Sequence, residues 1–187
     1  MPVLRPGEVY KEVVLRDGRK AVLRVPEWGD LDDFLGLING LVDEHADILR
    51  STHSTRGEEV EWLADRLTAI EKGSLIALVA EVNGRVVASS DVAQRTPENP
   101  QHNHVGVLGI AILKTARGLG LGKVLMDSLL KLSKKAGLKI IILDMFATNK
   151  VARRLYEKAG FVEVGKIPKA INQHGKYIDL IRFAIET

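Results

Sequence analysis

The chain has 187 residues, of which 45% are hydrophobic and 27% are charged, as in an ordinary globular protein. It has no cysteine, so disulfides, thiolate zinc sites and an acyl-cysteine intermediate are excluded. The net charge of +3 is spread along the chain and only 5% of residues are aromatic, so we expect no nucleic-acid partner. Because we find neither a membrane-spanning apolar run nor a signal-peptide pattern, we expect a cytoplasmic protein with no membrane partner.

The first elements predicted along the chain are strands. After a short tail at residues 1–8, apolar segments flank Asp17-Gly18, and similar segments flank Asn83-Gly84 further on. Both dipeptides are strong signals for tight hairpin turns. The front of the chain therefore predicts two β-hairpins.

Two helices are predicted between these hairpins. The first begins near Asp30 and is stopped by Asn39-Gly40. The second begins after Thr55, which forms with Glu58 the pattern of a capping box.

The second half of the chain predicts a strand–helix–strand unit over residues 105–146. Its helix begins near Gly118, carries one apolar face and stops at Gly137. The strand that follows, over residues 139–146, is so continuously apolar that we expect it to be covered on both faces.

The end of the chain predicts one short helix and two strands. The helix is capped by Asn149 and ends at Gly160. The last two strands are predicted to be joined by a loop at residues 168–176.

The segment RGLGLGK, residues 117–123, joins a predicted strand to a predicted helix. Glycines at a helix N-terminus let an anion approach unpaired backbone N–H groups, where the helix dipole favours negative charge. The segment therefore predicts a phosphate-binding loop, with a tight turn that binds no ligand as the alternative.

Two nucleotide-binding motifs do not fit this loop. A Walker A loop would need glycine where this chain has Arg117, and serine or threonine where it has Val124. A dinucleotide-binding fingerprint would need glycine where this chain has Lys123 or Leu125. Asp144, which ends the next strand, does lie where a ribose-binding acid would, so a nucleotide-binding protein stays open as an alternative.

A third motif, Q/R-x-x-G-x-G/A, fits fully at Arg117, Gly120 and Gly122. On this motif the chain resembles the GNAT superfamily of acetyl-CoA-dependent N-acetyltransferases. A second segment of that superfamily, N-x-x-A-x-x-L-Y-x-x-x-G-F, is matched at Asn149, Ala152, Leu155, Tyr156, Gly160 and Phe161. The resemblance is specific over about residues 105–165.

The resemblance implies a single α/β domain over residues 1–187. Its central sheet would be mixed but mostly antiparallel, splayed at the acetyl-CoA site and flanked by helices on both faces. It implies acetyl-CoA as co-substrate, no metal, and direct acetyl transfer to a primary amine of a small molecule, amino acid or peptide. A non-catalytic acyl-CoA-binding regulator on the same fold is the alternative.

The resemblance also assigns the residues that bind the cofactor. The backbone of the glycine loop would hold the pyrophosphate, and backbone N–H groups of the preceding strand would polarise the thioester carbonyl. Gly109, just before those donors, marks either a bulge or close packing. The implied cofactor-binding residues are Ile110, Ala111, Ile112, Arg117, Gly118, Leu119, Gly120, Leu121, Gly122, Lys123, Asn149, Ala152 and Tyr156.

The resemblance indicates a proton donor for catalysis but does not decide which residue is the base. Tyr156 matches the tyrosine acid of the superfamily, with a core tyrosine as the alternative. The glutamate that many members carry is replaced here by Gly106 and Val107. Asp144 and His104 are the two substitutes that the sequence offers as base.

The acetyl acceptor is expected between two segments, about residues 40–56 and 166–177, by the same resemblance. The first contains Asp43, Glu44 and Asp47, which would attract a cationic amine or simply face solvent. An exposed edge strand in such a sheet leaves a homodimer open.

Overall fold

The computed structural model describes residues 4–173 and 175–187. Its strands are β1 (Val9–Val14), β2 (Lys20–Arg24), β3 (Leu75–Val82), β4 (Arg85–Gln94), β5 (Val105–Ile112), β6 (Ile140–Phe146), β7 (Val162–Gln173) and β8 (Lys176–Glu186). Its α-helices are α1 (Leu31–Asp43), α2 (Arg56–Glu71), α3 (Leu121–Lys135) and α4 (Lys150–Lys158). In this part of the chain the strands form one eight-stranded sheet in the order β1-β2-β3-β4-β5-β6-β8-β7.

The sheet is mixed and mostly antiparallel, as predicted. β5 and β6 run parallel, since α3 connects them across one face, and the other neighbouring strands are antiparallel. The predicted strand–helix–strand unit is therefore confirmed.

Helices cover both faces of the sheet, which confirms the predicted layers. On one face α1 and α2 bury an apolar core that includes Phe34 and Leu63. On the other face α3 and α4 pack on a core that includes Leu125, Ile141 and Tyr156.

The predicted turns and the capping box are present. Gly18 has a φ of 86°, and Asn83 and Gly84 have φ values of 52° and 73°, which suit tight hairpin turns. The Thr55 hydroxyl accepts a hydrogen bond from the Glu58 N–H at 3.3 Å, and the Thr55 N–H donates to Glu58 Oε2 at 2.8 Å.

The predicted stop of α1 at Asn39-Gly40 is wrong, because the helix continues to Asp43. Leu41 is buried, so another turn of helix adds to the core. A β-carbon at Gly40 would lie 3.3 Å from Leu113 Cδ2, so this glycine allows α1 to approach the segment after β5.

The predicted loop at residues 168–176 is largely strand, so that prediction is also wrong. β7 continues to Gln173, with an irregularity in its pairing to β8 between Ile167 and Ile171. Lys169 has a φ of 55° and its N–H donates to Asp179 Oδ1 at 2.9 Å, which stabilises this bulge. The irregular stretch also accommodates Pro168, while residue 174 of the predicted loop lies outside the described residues.

The expectation that β6 is covered on both faces is only half right. Ile141, Leu143 and Met145 are buried on the α3 side of the sheet. On the opposite face Asp144 is exposed, although Phe146 at the end of the strand is buried. The helices therefore cover less of this strand than its apolar run indicated.

The sheet opens between β5 and β6, as the resemblance implied. Their parallel pairing covers only Val105–Val107 against Ile140–Ile142. Beyond this point β5 continues beside β4, and β6 continues beside β8. Because the β4–β5 pairing is uninterrupted through Gly109, the suggestion of a bulge at that glycine is wrong.

Gly106 fixes the closed end of this opening by close packing. A β-carbon there would lie 2.5 Å from Val92 Cγ1 and 2.9 Å from Ile141 Cδ1. We expect Gly106→Ala to lower the free energy of unfolding by about 1–3 kcal/mol through overpacking, measured by urea denaturation.

Gly36→Ala is the matched control, because this exposed glycine in α1 has open space around its Cα. It should raise the free energy of unfolding by about 0.5–1 kcal/mol through helix propensity. Equal stabilities of the two variants would contradict the packing at Gly106.

Candidate functional site

The opening is lined on one side by backbone groups of β5. N–H and C=O groups alternate sides along a strand, and the Leu113 N–H donates to the carbonyl of Val87 on β4 at 2.9 Å. The N–H groups of Ile110 and Ile112 therefore face β6, where no partner strand pairs with them in the described part of the chain. Of the three predicted donors, Ala111 has its N–H on the β4 side.

The glycine loop leads from the end of β5 to the start of α3. Gly118 and Gly120 have φ values of 77° and 91°, which favour glycine at both positions. α3 begins at Leu121, slightly later than predicted, and Gly120 caps it without any side-chain hydrogen bond. The N–H groups of Leu121, Gly122 and Lys123 are thus available to an anion.

The third glycine of the loop has a different role. A β-carbon at Gly122 would lie 3.2 Å from Leu155 Cδ2 and 3.3 Å from Ile112 Cδ1. Gly122 therefore lets α3 approach α4 and β5, whereas no described atom lies within 4 Å of a β-carbon built at Gly118. The alternating glycines thus combine two backbone turns with one helix contact.

Arg117 is bound by protein groups. Its Nη1 lies 3.2 Å from Glu44 Oε2, and Nη2 contacts the other oxygen of the same carboxylate. Its Nε donates to Ile112 O at 2.9 Å. Arg117 therefore links the end of α1 to the end of β5, and Glu44 offsets much of its charge.

A second arginine reaches the loop from a distant part of the chain. Arg16, in the turn between β1 and β2, donates from Nη1 to Gly118 O at 3.4 Å, and its N–H donates to Leu119 O at 3.3 Å. Arg16 could not be identified from the sequence, because no local pattern shows that residues 102 positions apart meet. Lys123 is paired with Asp127 at 2.5 Å on the surface of α3.

Tyr156 lies on α4 in the core on the α3 side of the sheet. Asn149 Oδ1 accepts from the Ala152 N–H at 2.9 Å and so begins this helix as predicted. The tyrosine ring packs against Phe161 and Phe183, with centroids 6.0 and 6.3 Å away. Burial raises the pKa of the Tyr156 phenol to about 12, so the phenol is neutral at physiological pH.

Asp144 lies on β6 beyond the point where the parallel pairing ends. Both of its carboxylate oxygens accept hydrogen bonds from Arg182 on β8, at 2.8 and 2.7 Å. Both oxygens of this carboxylate are occupied by charge-assisted hydrogen bonds, so an amine could reach either of them only by displacing the guanidinium. The geometry therefore weakens the prediction that Asp144 is the base.

His104 is not brought to the opening. It precedes the first residue of β5, and its carbonyl accepts the Lys139 N–H at 2.8 Å. Ile110 lies six positions further along the chain, which corresponds to about 20 Å at roughly 3.3 Å per residue. The candidate base His104 therefore lies at the wrong end of the strand.

Two cavities lie on the α1–α2 side of the opening. The outer cavity, of about 500 Å³, lies between the segment after α1 and the end of the β7–β8 hairpin. These are the two segments between which the acceptor was predicted. Of the three acids predicted there, Asp43 is paired with His53 at 2.7 Å and Glu44 with Arg117.

The inner cavity, of about 370 Å³, lies between α1, α2 and the middle of β4 and β5. Its walls include Phe34 and Trp62 on the helices and Asp91, Gly109 and Ile110 on the strands. Arg50 lines both cavities. The outer cavity therefore lies at the β7–β8 hairpin and the inner cavity at the middle of β5.

The family model for the acetyltransferase (GNAT) family matches residues 38–161, which include the opening, the glycine loop and α4. The chain belongs to this family. It is therefore an acetyl-CoA-dependent N-acetyltransferase, as the sequence resemblance implied.

Individual relatives agree with this assignment. The acetyltransferase is 25% identical over 158 residues to YwnH of Bacillus subtilis (strain 168), which is named as a phosphinothricin acetyltransferase. The matched region covers 84% of this chain and 94% of YwnH.

Solved structures share the fold. A ribosomal-protein-alanine N-acetyltransferase from Brucella melitensis superposes with a TM-score of 0.79 at 24% identity, covering 88% of this chain and 99% of that one. A phosphinothricin acetyltransferase from Sinorhizobium meliloti, in complex with acetyl-CoA, gives a TM-score of 0.78 at 18% identity, covering 89% and 88%.

Membrane-spanning helices and metal clusters are both absent from the described residues. No helix among them is long and apolar enough to cross a membrane. In the same residues, no group of three or more histidine, aspartate or glutamate side chains is arranged to hold a metal ion. The cytoplasmic location of the acetyltransferase stays a prediction.

The role of the glycine loop can be tested by Gly120→Ala. A side chain at a φ of 91° costs about 1–2 kcal/mol and displaces the N–H groups at the start of α3. We expect the affinity for acetyl-CoA, measured by calorimetry, to fall at least about tenfold.

Gly137→Ala is the matched control, since Gly137 has a φ of 87° at the other end of the same helix. It should show a similar loss of stability with unchanged acetyl-CoA affinity. Unchanged affinity in Gly120→Ala would contradict the assignment of the loop.

Proposed function

We propose that this enzyme transfers the acetyl group of acetyl-CoA directly to a primary amine of a small molecule, an amino acid or a peptide. The observation that carries the proposal is the opening between β5 and β6 beside an α3 N-terminus that no described side chain caps. This arrangement offers hydrogen-bond donors to a thioester and to a diphosphate at the same time.

The diphosphate of the co-substrate would be held by the N–H groups at the start of α3. Arg16 would supply positive charge near this position, and Arg117 stabilises the end of β5. The pantetheine arm would lie in the opening, and Asn149 and Ala152 at the start of α4 would line its path.

The thioester carbonyl would accept hydrogen bonds from the N–H groups of Ile110 and Ile112. Such donors are fixed by the strand before any charge develops, and loss of one comparable donor lowers turnover by about 100- to 1000-fold. Tyr156 would give its proton to the departing sulfur atom, because its phenol stays neutral at physiological pH.

The named acceptors of the relatives support an amine acceptor. Phosphinothricin acetyltransferases and a ribosomal-protein-alanine N-acetyltransferase are both among the similar proteins. Both names fit transfer to an amine, so they favour this acceptor chemistry without choosing between a small molecule and a protein.

The direct test is release of free coenzyme A from acetyl-CoA in the presence of amines, amino acids and peptides. The proposal predicts release that depends on the amine, with the acetylated amine found by mass spectrometry. Binding of acetyl-CoA without release for every acceptor would instead favour the non-catalytic regulator.

Tyr156→Phe tests the proton donor. The ring and its packing are kept while the phenol proton is lost, so turnover should fall by about 100-fold or more. The dissociation constant of acetyl-CoA should change less than threefold (an estimate of about 0.6 kcal/mol).

Tyr10→Phe is the control for this substitution, because Tyr10 lies on β1 at the far edge of the sheet. Its turnover should match that of the unmodified enzyme. Full turnover in Tyr156→Phe would remove this tyrosine from the mechanism.

We also propose a homodimer that uses the edge strand β7. Val162, Val164 and Ile167 are exposed on this strand, which has no neighbour on its outer side among the described residues. Light scattering should give twice the monomer mass, and Val164→Lys should give the monomer mass. A monomer without the substitution would overturn this proposal.

A further inference from the structure

The inner cavity is lined by a carboxylate, Asp91, that the sequence did not single out. The Cα of Asp91 on β4 pairs across the sheet with that of Gly109 on β5. Both residues line the inner cavity together with Ile110. Asp91 therefore lies beside the part of β5 whose N–H groups face the opening.

The Asp91 carboxylate is held by one protein group. Arg66 Nη2 lies 2.7 Å from Oδ2, and the Arg66 guanidinium stacks on the Trp62 ring at 4.5 Å. Among the described residues no other group pairs with this carboxylate. In contrast to Asp144, Asp91 keeps one oxygen available to a ligand, and its side chain is 22% exposed.

The space in front of Asp91 is kept open by Gly109. A β-carbon at Gly109 would lie 3.6 Å from Asp91 Oδ2 and 3.9 Å from Oδ1. A side chain there would therefore fill the gap between the carboxylate and β5. The missing side chain leaves room for a small group, such as an amino group, beside the Ile110 backbone.

The walls of the inner cavity suit an apolar body. Phe34 and Trp62 pack edge to face with centroids 5.1 Å apart, and Leu37 and Ile38 continue the wall along α1. A volume of about 370 Å³ lies in the size range of small-molecule sites. These walls favour a compact ligand over an extended peptide.

We propose that Asp91 receives the amino group of the acetyl acceptor and takes its proton, and that the acceptor is a small primary amine with an apolar body lying between α1 and α2. This inference rests on the proposed acetyltransfer at the opening. It assigns to β4 the base that neither Asp144 nor His104 supplies.

Each proton and bond in this transfer has a defined origin and destination. The acceptor arrives as an ammonium ion, and Asp91 takes one proton, which leaves a neutral amine. The amine nitrogen bonds to the thioester carbonyl carbon while the Ile110 N–H donates to the negatively charged oxygen. The C–S bond then breaks and the sulfur takes the Tyr156 proton. The remaining extra proton on nitrogen passes through water to the tyrosinate, and Asp91 returns its proton to solvent.

The surroundings of Asp91 make this proton transfer pH-dependent. The other charged groups around the inner cavity are Arg66, Glu59, Glu58 and Arg50. Burial raises the pKa of Asp91 above its ordinary value of 3.8, and burial also raises the pKa of Glu59 above 4.5. Because Asp91 must be ionised to take the proton, kcat/KM should fall as the pH drops through this raised pKa.

The test compares variants with phenethylamine as the acceptor. Asp91→Asn should lower kcat/KM by about 100-fold or more at pH 7 while the acetyl-CoA affinity is kept. Part of the loss should be regained above about pH 9, because a growing fraction of the amine is then neutral in solution. A purely structural role of Asp91 would give a loss that does not change with pH.

Asp30→Asn is the matched control, since Asp30 forms a buried pair with Arg24 at 2.6 Å away from both cavities. It should lower stability but leave kcat/KM per folded molecule unchanged. Gly109→Ala, whose new β-carbon makes only ordinary contacts, should weaken the binding of phenethylamine, seen as an increase of at least tenfold in its Michaelis constant.

Three results would overturn the inference while the proposed acetyltransfer stands. The first is full activity in Asp91→Asn. The second is a large loss of kcat/KM in Asp144→Asn but not in Asp91→Asn. The third is a peptide that is acetylated with a far higher kcat/KM than any small apolar amine. If the unmodified enzyme releases no coenzyme A with any amine, the proposed function itself fails.

Discussion

The structure depends on one interruption of hydrogen bonding, the end of the parallel β5–β6 pairing at Val107 and Ile142. Before this point the two strands are held by close packing at Gly106. Beyond it each strand is supported by its other neighbour, β4 or β8, so the sheet opens without losing its order. An opening of this kind exposes backbone donors that are already fixed in position, which is what a developing negative charge requires.

The two faces of the sheet supply different parts of the site. On one face, α3 begins without a side-chain cap beside the opening, and α4 holds Tyr156 in the core of that face. On the other face, α1 and α2 line the inner cavity together with Asp91 of β4. The Arg117–Glu44 pair connects these halves, because it joins the loop before α3 to the end of α1. We infer that the co-substrate and the acceptor meet at β5 from opposite sides.

The sequence predicted the parts of the fold that local chemistry determines. The hairpin turns, the capping box and the glycine loop each depend on a few adjacent residues, and all are present. The ends of helices and strands were less predictable. Helix α1 continues past Gly40 because Leu41 is buried, and β7 continues through Pro168 because its pairing with β8 contains a bulge. The roles of Arg16 and Asp91 could not be predicted from the sequence. Arg16 meets Gly118, and Asp91 meets Gly109, only in the folded protein. Asp144 could be identified as an acid in an apolar strand. Its partner Arg182 lies on β8, so this pair is recognised only when β6 and β8 are known to be neighbours.

A crystal structure of the enzyme with acetyl-CoA would decide whether the opening and the start of α3 bind the co-substrate together. We predict the diphosphate within hydrogen-bond distance of the N–H groups of Leu121, Gly122 and Lys123. We also predict the thioester carbonyl between β5 and β6, at the N–H of Ile110 or Ile112. A diphosphate bound away from α3, or an acetyl group outside the opening, would contradict this arrangement.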